Sequence, residues 1–417
     1  MGATLRRLAI LFLGCLVVAC SAGSGRPSAP AGGGPPPPAG TTSAPAAPGA
    51  NAGTSGAAGP GAPGGGASGA APSGTGGGGA ASASGGREVA RPLEPPQRVR
   101  IADTGLAAQA PTYLAVEHGS FREMGFDVDV VSNLMTNDMV TLLSSDQLDV
   151  GLQAISPAFY NAVARGVGMR LVADHGTLIP GRTTVSLAIR TDILERKPWT
   201  GPADLKGLKL GSNQAGSLGS YYRELILQRG GLTRNDIDLV EPLPFPDMAV
   251  AFANKAIDAG QYNEPWATMQ EEQGIVKKVL YMDEIEPNGH IAGLLYGEAF
   301  ARNTAAARNF MVGYLRGIRH YWDAYDGRRD FQDVVDVLKK YTQLKDEAVI
   351  RKVPQTGQNP NGYLDPAKVA FYQDWFVEQG LVTQKADLSK ALDHSFLDYA
   401  NAVLGPYEPV ATPRPPS

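Results

Sequence analysis

Apolar residues recur along this chain in two alternating rhythms, two apart and three to four apart, from Val99 almost to the C-terminus. The first spacing marks a half-buried strand and the second an amphipathic helix. A strand is predicted at Val99-Arg100-Ile101, followed by a polar loop from Asp103 to Ala110. A helix opens at Pro111, where proline costs no hydrogen bond because a first-turn amide has no partner, and Gly119 stops it. Gly125 punctuates the next turn before a strand through Val128, Val130 and Val131. Met139, Leu142 and Leu143 then share one helix face, Leu148 to Leu152 reads as a strand, and a helix runs from Pro157 to Arg165 with Gly166 closing it. A strand resumes at Arg170 to Ala173. Such alternation predicts a parallel sheet covered by helices.

The same rhythm restarts at Val185 to Ile189, continues with the strand Lys209-Leu210-Gly211, and enters a long helical pattern from Ser217 to Arg229 closed by Gly230-Gly231. Strands are expected at 237–240, 259–262 and 276–281, with helices at 247–254 and from Pro265. Ile291 to Leu295 is strand-like, and the later segments 304–324, 331–344 and 366–379 are helical in pattern. No repeat at a solenoid period occurs. The expectation is therefore α/β, in two units, with a helical C-terminal part.

The beginning of the chain breaks this rhythm. From Ser21 to Gly86 there is no Leu, Ile, Val, Met or aromatic residue, so the segment cannot bury enough apolar surface to offset its chain entropy. It reads as a disordered linker of about 66 residues that would hold the folded part roughly 45 Å from its start. Before it, Arg6 and Arg7 precede the apolar run Leu8 to Val18, which is short for a bilayer span, and small Ala19 stands before Cys20. This start resembles a bacterial lipoprotein signal peptide, with Val17 where that family more often has Leu. The resemblance implies cleavage before Cys20 and acylation of its thiol and new N-terminus; the alternative is an ordinary secretory signal with an incidental cysteine. The expected organisation is a signal peptide at 1–19, lipidated Cys20 with a linker over 20–96, a folded part at 97–405 and a disordered tail at 406–417.

Charge and rare residues exclude several functions. Of 37 Lys and Arg, the first 86 residues hold only Arg6, Arg7 and Arg26, with no acid, which leaves 34 basic against 41 acidic side chains and a net charge of −7. An acidic domain with scattered cations has no footprint for nucleic acid. Both cysteines, Cys15 and Cys20, precede the folded part, so no disulfide, thiolate catalysis or cysteine-metal site is available there. The histidines His118, His175, His290, His320 and His394 are far apart in sequence, and no metal site is expected.

Two motifs stand out. Gly211-Ser212-Asn213-Gln214-Ala215-Gly216-Ser217 has glycines spaced like a phosphate-cradling loop but lacks the lysine of nucleotide-hydrolysing sites. What remains is a strand, a turn and a helix N-terminus, which offers amide donors to an anion or polar ligand; the plainer reading is that Ser217 caps its helix. Tyr262-Asn263-Glu264-Pro265-Trp266 puts an amide, a carboxylate and aromatics at a strand end, where open α/β sheets bind ligands. Its plainer reading is that Glu264 complements the helix dipole while the rings pack. Tyr113, Phe159 and Tyr160 read first as core.

From about Arg98 to Tyr399 the chain resembles the solute-binding proteins of the nitrate, sulfonate, taurine and pyrimidine-precursor importers, the NMT1-like family. The likeness runs through Pro111-Thr112-Tyr113-Leu114-Ala115, Gly119-Ser120-Phe121, Gly125-Phe126, Leu148-Asp149-Val150-Gly151 and Asn161 to Gly166. It continues through Asp204 to Gly211, Gly230-Gly231-Leu232 and Asn263-Glu264-Pro265-Trp266. The resemblance implies a two-lobed periplasmic-binding-protein-like fold of type II with two chain crossovers, one lobe from 98–186 plus 291–405 and the other from 187–290. It places the ligand loops at Thr104 and Gln109, at Gln153 and Ser156, at Gln214, Gly216 and Ser217, and at Asn263 and Glu264. It further implies no cofactor, no catalysis, a monomer, and an ABC permease with its ATPase as partners outside the cytoplasm. A small organic anion of the sulfonate or taurine kind is the expected ligand, because helix N-termini suit an oxoanion; Glu264 and nearby rings would suit a pyrimidine or amine-bearing heterocycle instead. Enzymes that make a thiamin pyrimidine share these segments but use a cysteine-rich motif, and menaquinone-synthesis enzymes of this fold are cytoplasmic. A ligand-sensing surface receptor is a further alternative.

Overall fold

The computed structural model describes residues 88–213 and 216–409. The signal segment with Cys20, most of the linker, Gln214 and the end of the tail lie outside the described residues.

Ten strands form two five-stranded sheets. The first contains β1 (Gln97–Ala102), β2 (Phe126–Val131), β3 (Val150–Ala154), β4 (Arg170–Thr177) and β10 (His290–Tyr296), in the order β2-β1-β3-β10-β4. The second contains β5 (Val185–Arg190), β6 (Lys209–Gly211), β7 (Asp238–Val240), β8 (Ala259–Asn263) and β9 (Val276–Tyr281), in the order β7-β6-β8-β5-β9. The alternation of elements predicts parallel sheets, but neither sheet is all-parallel. β10 runs antiparallel to β3 and β4, and β5 runs antiparallel to β8 and β9. Both are the strands by which the chain enters a sheet on arriving from the other one, so neither needs the covering helix that joins parallel neighbours. Apolar periodicity reports which residues face a core and is silent on strand direction.

The chain changes sheets between β4 and β5 and again between β9 and β10. Val185 and Ser186, expected in the first lobe, already pair with Asn263 and Tyr262 of the second sheet, and His290, expected in the second lobe, pairs with Thr177 of the first. The two crossing segments are bonded to each other: the Leu178 amide donates to the Gly289 carbonyl, and the Asn288 amide donates to that of Leu178, both at 2.8 Å.

Helices α1 (Ala110–Glu117), α2 (Thr136–Ser144) and α3 (Pro157–Ala164) belong to the first sheet's early half. Around the second sheet lie α4 (Thr191–Arg196), α5 (Leu218–Arg229), α6 (Phe245–Ala253) and α7 (Trp266–Glu272). The chain then forms α8 (Glu298–Arg302), the 22-residue α9 (Thr304–Tyr325), α10 (Gln332–Tyr341), α11 (Glu347–Ile350), α12 (Pro366–Glu378), α13 (Leu388–Ala391) and α14 (Ser395–Leu404). α9 packs closely on α1 because Gly317 faces it: a Cβ there would lie 2.6 Å from Ala115 Cβ and nearer still to the Pro111 carbonyl oxygen. Every contact that α1 makes with this core fixes where its N-terminal end, and hence Gln109, stands.

α12 touches both halves. The Tyr160 hydroxyl of α3 donates to the Val369 carbonyl at 2.8 Å, while Tyr221 of α5 meets Tyr372 and Trp375 with ring centroids 5.5 and 5.3 Å apart. The folded part also extends beyond the limits expected for it. The Leu93 amide donates to the Met124 carbonyl at 3.1 Å, and Tyr407 donates to Asp323 at 2.7 Å while its ring lies under Arg319 and Arg328.

Candidate functional site

A cavity of about 650 Å³ lies where the carboxyl ends of the parallel strands in both sheets converge. The loop after β1 contributes Thr104 and Gln109, β3 contributes Gln153, and β4 contributes His175. From the second sheet come Ser212 and Asn213 after β6, Gln261 and Asn263 from β8, and Glu264 just beyond it. Thr136 of α2, Phe245 of α6, and Leu218 and Gly219 of α5 bring three helix N-terminal turns to the same cavity. First-turn amides have no carbonyl acceptor within their own helix, so each turn presents donors and the positive end of a dipole.

Six of the nine expected ligand residues line this cavity: Thr104, Gln109, Gln153, Ser217, Asn263 and Glu264. Ser156 does not; its hydroxyl is buried without a partner at the N-cap of α3. Gly216 does not either. It has φ 62°, and a Cβ there would come within 2.9 Å of Leu381, so the residue serves the turn and its packing. Gln214 lies outside the described residues. Ser217 is the N-cap residue of α5 but makes no side-chain capping bond, contrary to the plainer expectation for it.

Gln153 is 1% exposed, lines the cavity, and among the described residues neither its amide oxygen nor its amide nitrogen has a hydrogen-bond partner. Buried polar groups left unpaired cost about 1–3 kcal/mol, so an orphaned amide facing a cavity marks a place for a ligand atom. Gln109 is positioned differently. Its Nε2 donates to Thr104 Oγ1 at 2.9 Å, its Oε1 contacts His175 Nε2, and His175 Nδ1 lies 3.0 Å from the Tyr314 hydroxyl. This chain of polar groups runs from the buried core to the cavity wall and fixes the Gln109 amide in one orientation. Burial pushes the His175 imidazole down to about 4, so it is neutral near pH 7.

The Glu264 carboxylate serves the second sheet. Oε2 accepts from the Thr268 amide at 2.9 Å, and Oε1 accepts from Lys278 Nζ at 3.0 Å. Glu264 is 1% exposed. Burial opposes the Lys278 charge, yet Glu264, Tyr281 and Glu271 around it raise its pKa on balance. The backbone of Glu264 faces the first sheet, since its carbonyl accepts from the Ala107 amide at 3.2 Å. Glu264 thus combines helix capping with a contact between the loops of the two sheets.

Apart from Glu264, whose charge is matched by Lys278, the described cavity lining carries no formally charged side chain at neutral pH. Amides, hydroxyls and helix N-termini supply its polarity, while Leu106, Leu134, Val185, Phe245, Trp266 and Ile291 supply apolar surface. The arrangement can hold a molecule with a polar head and an apolar body without a buried counter-charge.

Sequence reading missed His175, Gln261 and Asn133 as lining residues, while Asn213 and Trp266 lay inside the two motifs it singled out without being named as ligand residues. Gln261 had a usable signal: it lies two residues before Asn263 on one strand, and such residues share a face. Of the five histidines, far apart in sequence, His118 and His320 meet at Asp333 in the fold.

Comparison with known proteins follows the same lines. YtlA of Bacillus subtilis (strain 168), named as a candidate binding protein, is 24% identical over 310 residues, covering 72% of this chain and 87% of that protein. The periplasmic aliphatic sulphonate binding protein SsuA from Escherichia coli superposes with a TM-score of 0.58 at 21% identity, covering 73% of this chain and 99% of SsuA. The periplasmic nitrate-binding protein NrtA from Synechocystis PCC 6803 gives 0.60 at 14% identity, covering 74% and 89%. The desulfurization enzyme DSZB also shares the fold, with a TM-score of 0.55 at 17% identity over 73% of this chain and 99% of that one. These structures establish the fold, a type II periplasmic-binding-protein architecture. The family described as NMT1/THI5 like matches residues 107–324, more than half of the chain, and the protein belongs to that family.

Proposed function

We propose that this protein is an extracytoplasmic solute-binding protein of an ABC importer, which captures a small organic solute between two lobes and delivers it to a permease. The lobes are the two sheets with their helices, joined by the crossing segments 178–184 and 282–289. The observation that carries this reading is Gln153, a buried amide without a partner, in a cavity built from the strand ends of both sheets. A ligand that bonds to loops of both lobes stabilises their closed arrangement, and the transporter recognises that state. Anchoring through lipid on Cys20, a monomeric state and delivery to a permease with its ATPase belong to the same proposal.

The favoured ligand is an organic anion of the sulfonate or taurine kind. Its oxygens would take hydrogen bonds from Thr104, Gln153, Ser217 and the first-turn amides of α5, and its organic part would lie against Phe245 and Trp266. Sulphonate and nitrate binding in SsuA and NrtA supports the class. A second reading, a neutral heterocycle such as a pyrimidine, is favoured by the absence of a cation from the described lining and by the aromatic rings. Because DSZB has the same fold, architecture alone does not separate binding from catalysis; binding is preferred because the described residues include no cysteine and the polar lining groups are arranged around space.

Trp266 in the wall provides the test. Titration of its fluorescence with alkanesulfonates, taurine, nitrate and pyrimidines should give saturable binding to one class, weakened at least tenfold in Gln153→Ala. Saturable binding of sulfonates supports the favoured reading, binding of pyrimidines alone supports the second, and turnover of any bound compound would replace both with an enzyme.

A further inference from the structure

We propose that His118, His320 and Asp333 form a binding site for a first-row divalent cation such as Zn²⁺, remote from the cleft. One ligand atom from each residue lies within 4.8 Å of the other two. His320 Nε2 is 2.7 Å from Asp333 Oδ2, and His118 Nε2 is 3.6 Å from Asp333 Oδ1. The two contacts reach different oxygens of the carboxylate, and a tetrahedron with metal bonds of about 2.0–2.1 Å has edges of about 3.3 Å, so a cation would draw both imidazoles toward one oxygen or be held by both. Small rotations of exposed side chains would allow either. Two imidazoles and one carboxylate make a borderline donor set, which suits zinc and its neighbours and is too rich in nitrogen for magnesium or calcium.

Three helices deliver the ligands. His118 is the C-cap of α1, with its amide donating to the Leu114 carbonyl at 2.9 Å; His320 lies within α9; Asp333 stands in the first turn of α10. α1 carries Gln109 to the cleft at its N-terminal end and His118 at the other, about 12 Å away along the axis. The side chain of His320 is 7% exposed, whereas those of His118 and Asp333 are 39% and 30% exposed. Three protein ligands with an opening to solvent leave the fourth position to water, as in an exchangeable site rather than a closed structural one. The opposing charge is Arg329, which is engaged by Asp323 at 3.8 Å.

Without a metal the same residues would form a His320–Asp333 hydrogen bond beside an edge-to-face pair of imidazoles, with centroids 4.5 Å apart. In that arrangement His118 contributes only the 3.6 Å contact with Asp333 and the ring packing. A bound cation needs all three, and it would tie the far end of α1 to α9 and α10.

The experiment is a Zn²⁺ competition titration of the full chain against a chromogenic chelator at pH 7.5, with Mg²⁺ as comparator. The expected result is one equivalent of Zn²⁺ bound by the wild type and by Gln153→Ala, with no competition from Mg²⁺. His118→Ala, at an exposed position, and Asp333→Asn should each weaken binding at least tenfold, since loss of outer-shell support alone costs about 10–100-fold. Circular dichroism establishes that both variants are folded. Absence of stoichiometric Zn²⁺ binding, or binding unchanged in both variants, overturns the site and leaves His320–Asp333 as a structural hydrogen bond.

Discussion

Gln153 and Glu264 show how burial separates a residue that waits for a ligand from one that holds the fold. Among the described residues neither polar atom of Gln153 has a partner, so Gln153→Ala should change unfolding free energy by less than about 1 kcal/mol in urea while greatly weakening ligand binding. A loss of several kcal/mol would identify Gln153 as structural. Glu264→Gln should do the reverse: it removes the partner of Lys278, which is left with the half-exposed Glu271, and should cost about 2 kcal/mol or more in the same assay. Sequence order carries the distinction. Along β8, Gln261 and Asn263 share the face toward the cavity, Tyr262 takes the core face against Phe252, and Glu264 follows the core side. His175 gives a pH prediction. Its folded value of about 4 lies below its ordinary value of 6.5, so the unfolded chain takes up the proton first and stability falls as pH drops through that interval. At pH 5 this group should account for about 2 kcal/mol of lost stability relative to pH 7.5, and His175→Asn should flatten that part of the profile. An unchanged profile would mean that the imidazole is not held neutral.

Among elements, the pairing of α1 with α9 most directly controls the cleft. Gly317→Ala should raise helix propensity by about 1 kcal/mol, yet the space at Gly317 is filled by Pro111 and Ala115. Net destabilisation of about 1–3 kcal/mol is expected by thermal or urea unfolding, with weaker ligand binding through displacement of Gln109. A stabilised variant would contradict the packing. Most elements were legible in the sequence because periodicity is a local property. Strand direction was not: β5 and β10 carry apolar runs like their parallel neighbours and differ only in where the chain comes from. Of the cleft, the strand-end motif pointed to Asn263, while Thr104 and Gln153 came only from the family resemblance; all three line the cavity. The cleft was obscure at His175, because Asp174 and His175 read as the end of an apolar run, whereas β4 continues to Thr177, whose amide donates to the Gly357 carbonyl at 2.7 Å. The His118, His320 and Asp333 cluster had no local signal at all, since three helices assemble it.

At the scale of the whole molecule, the proposed solute capture requires the crossing segments to bend while the two sheets stay rigid. The segments bond to each other at Leu178, Asn288 and Gly289, and α12 spans both halves through Tyr160 and Tyr221, so the motion is expected about a defined axis. Contacts such as Ala107 to Glu264 join the loops across the cleft and would form or break with closure. The most direct test of this account is thermal unfolding of the full chain and of Gln153→Ala against alkanesulfonates, taurine, nitrate and pyrimidines. A ligand at a hundred times its dissociation constant adds about 2.7 kcal/mol to stability. The account predicts a clear upward shift with one chemical class, strongest for sulfonates, and its loss in Gln153→Ala. No shift with any class, or an equal shift in the variant, would contradict solute capture in this cleft.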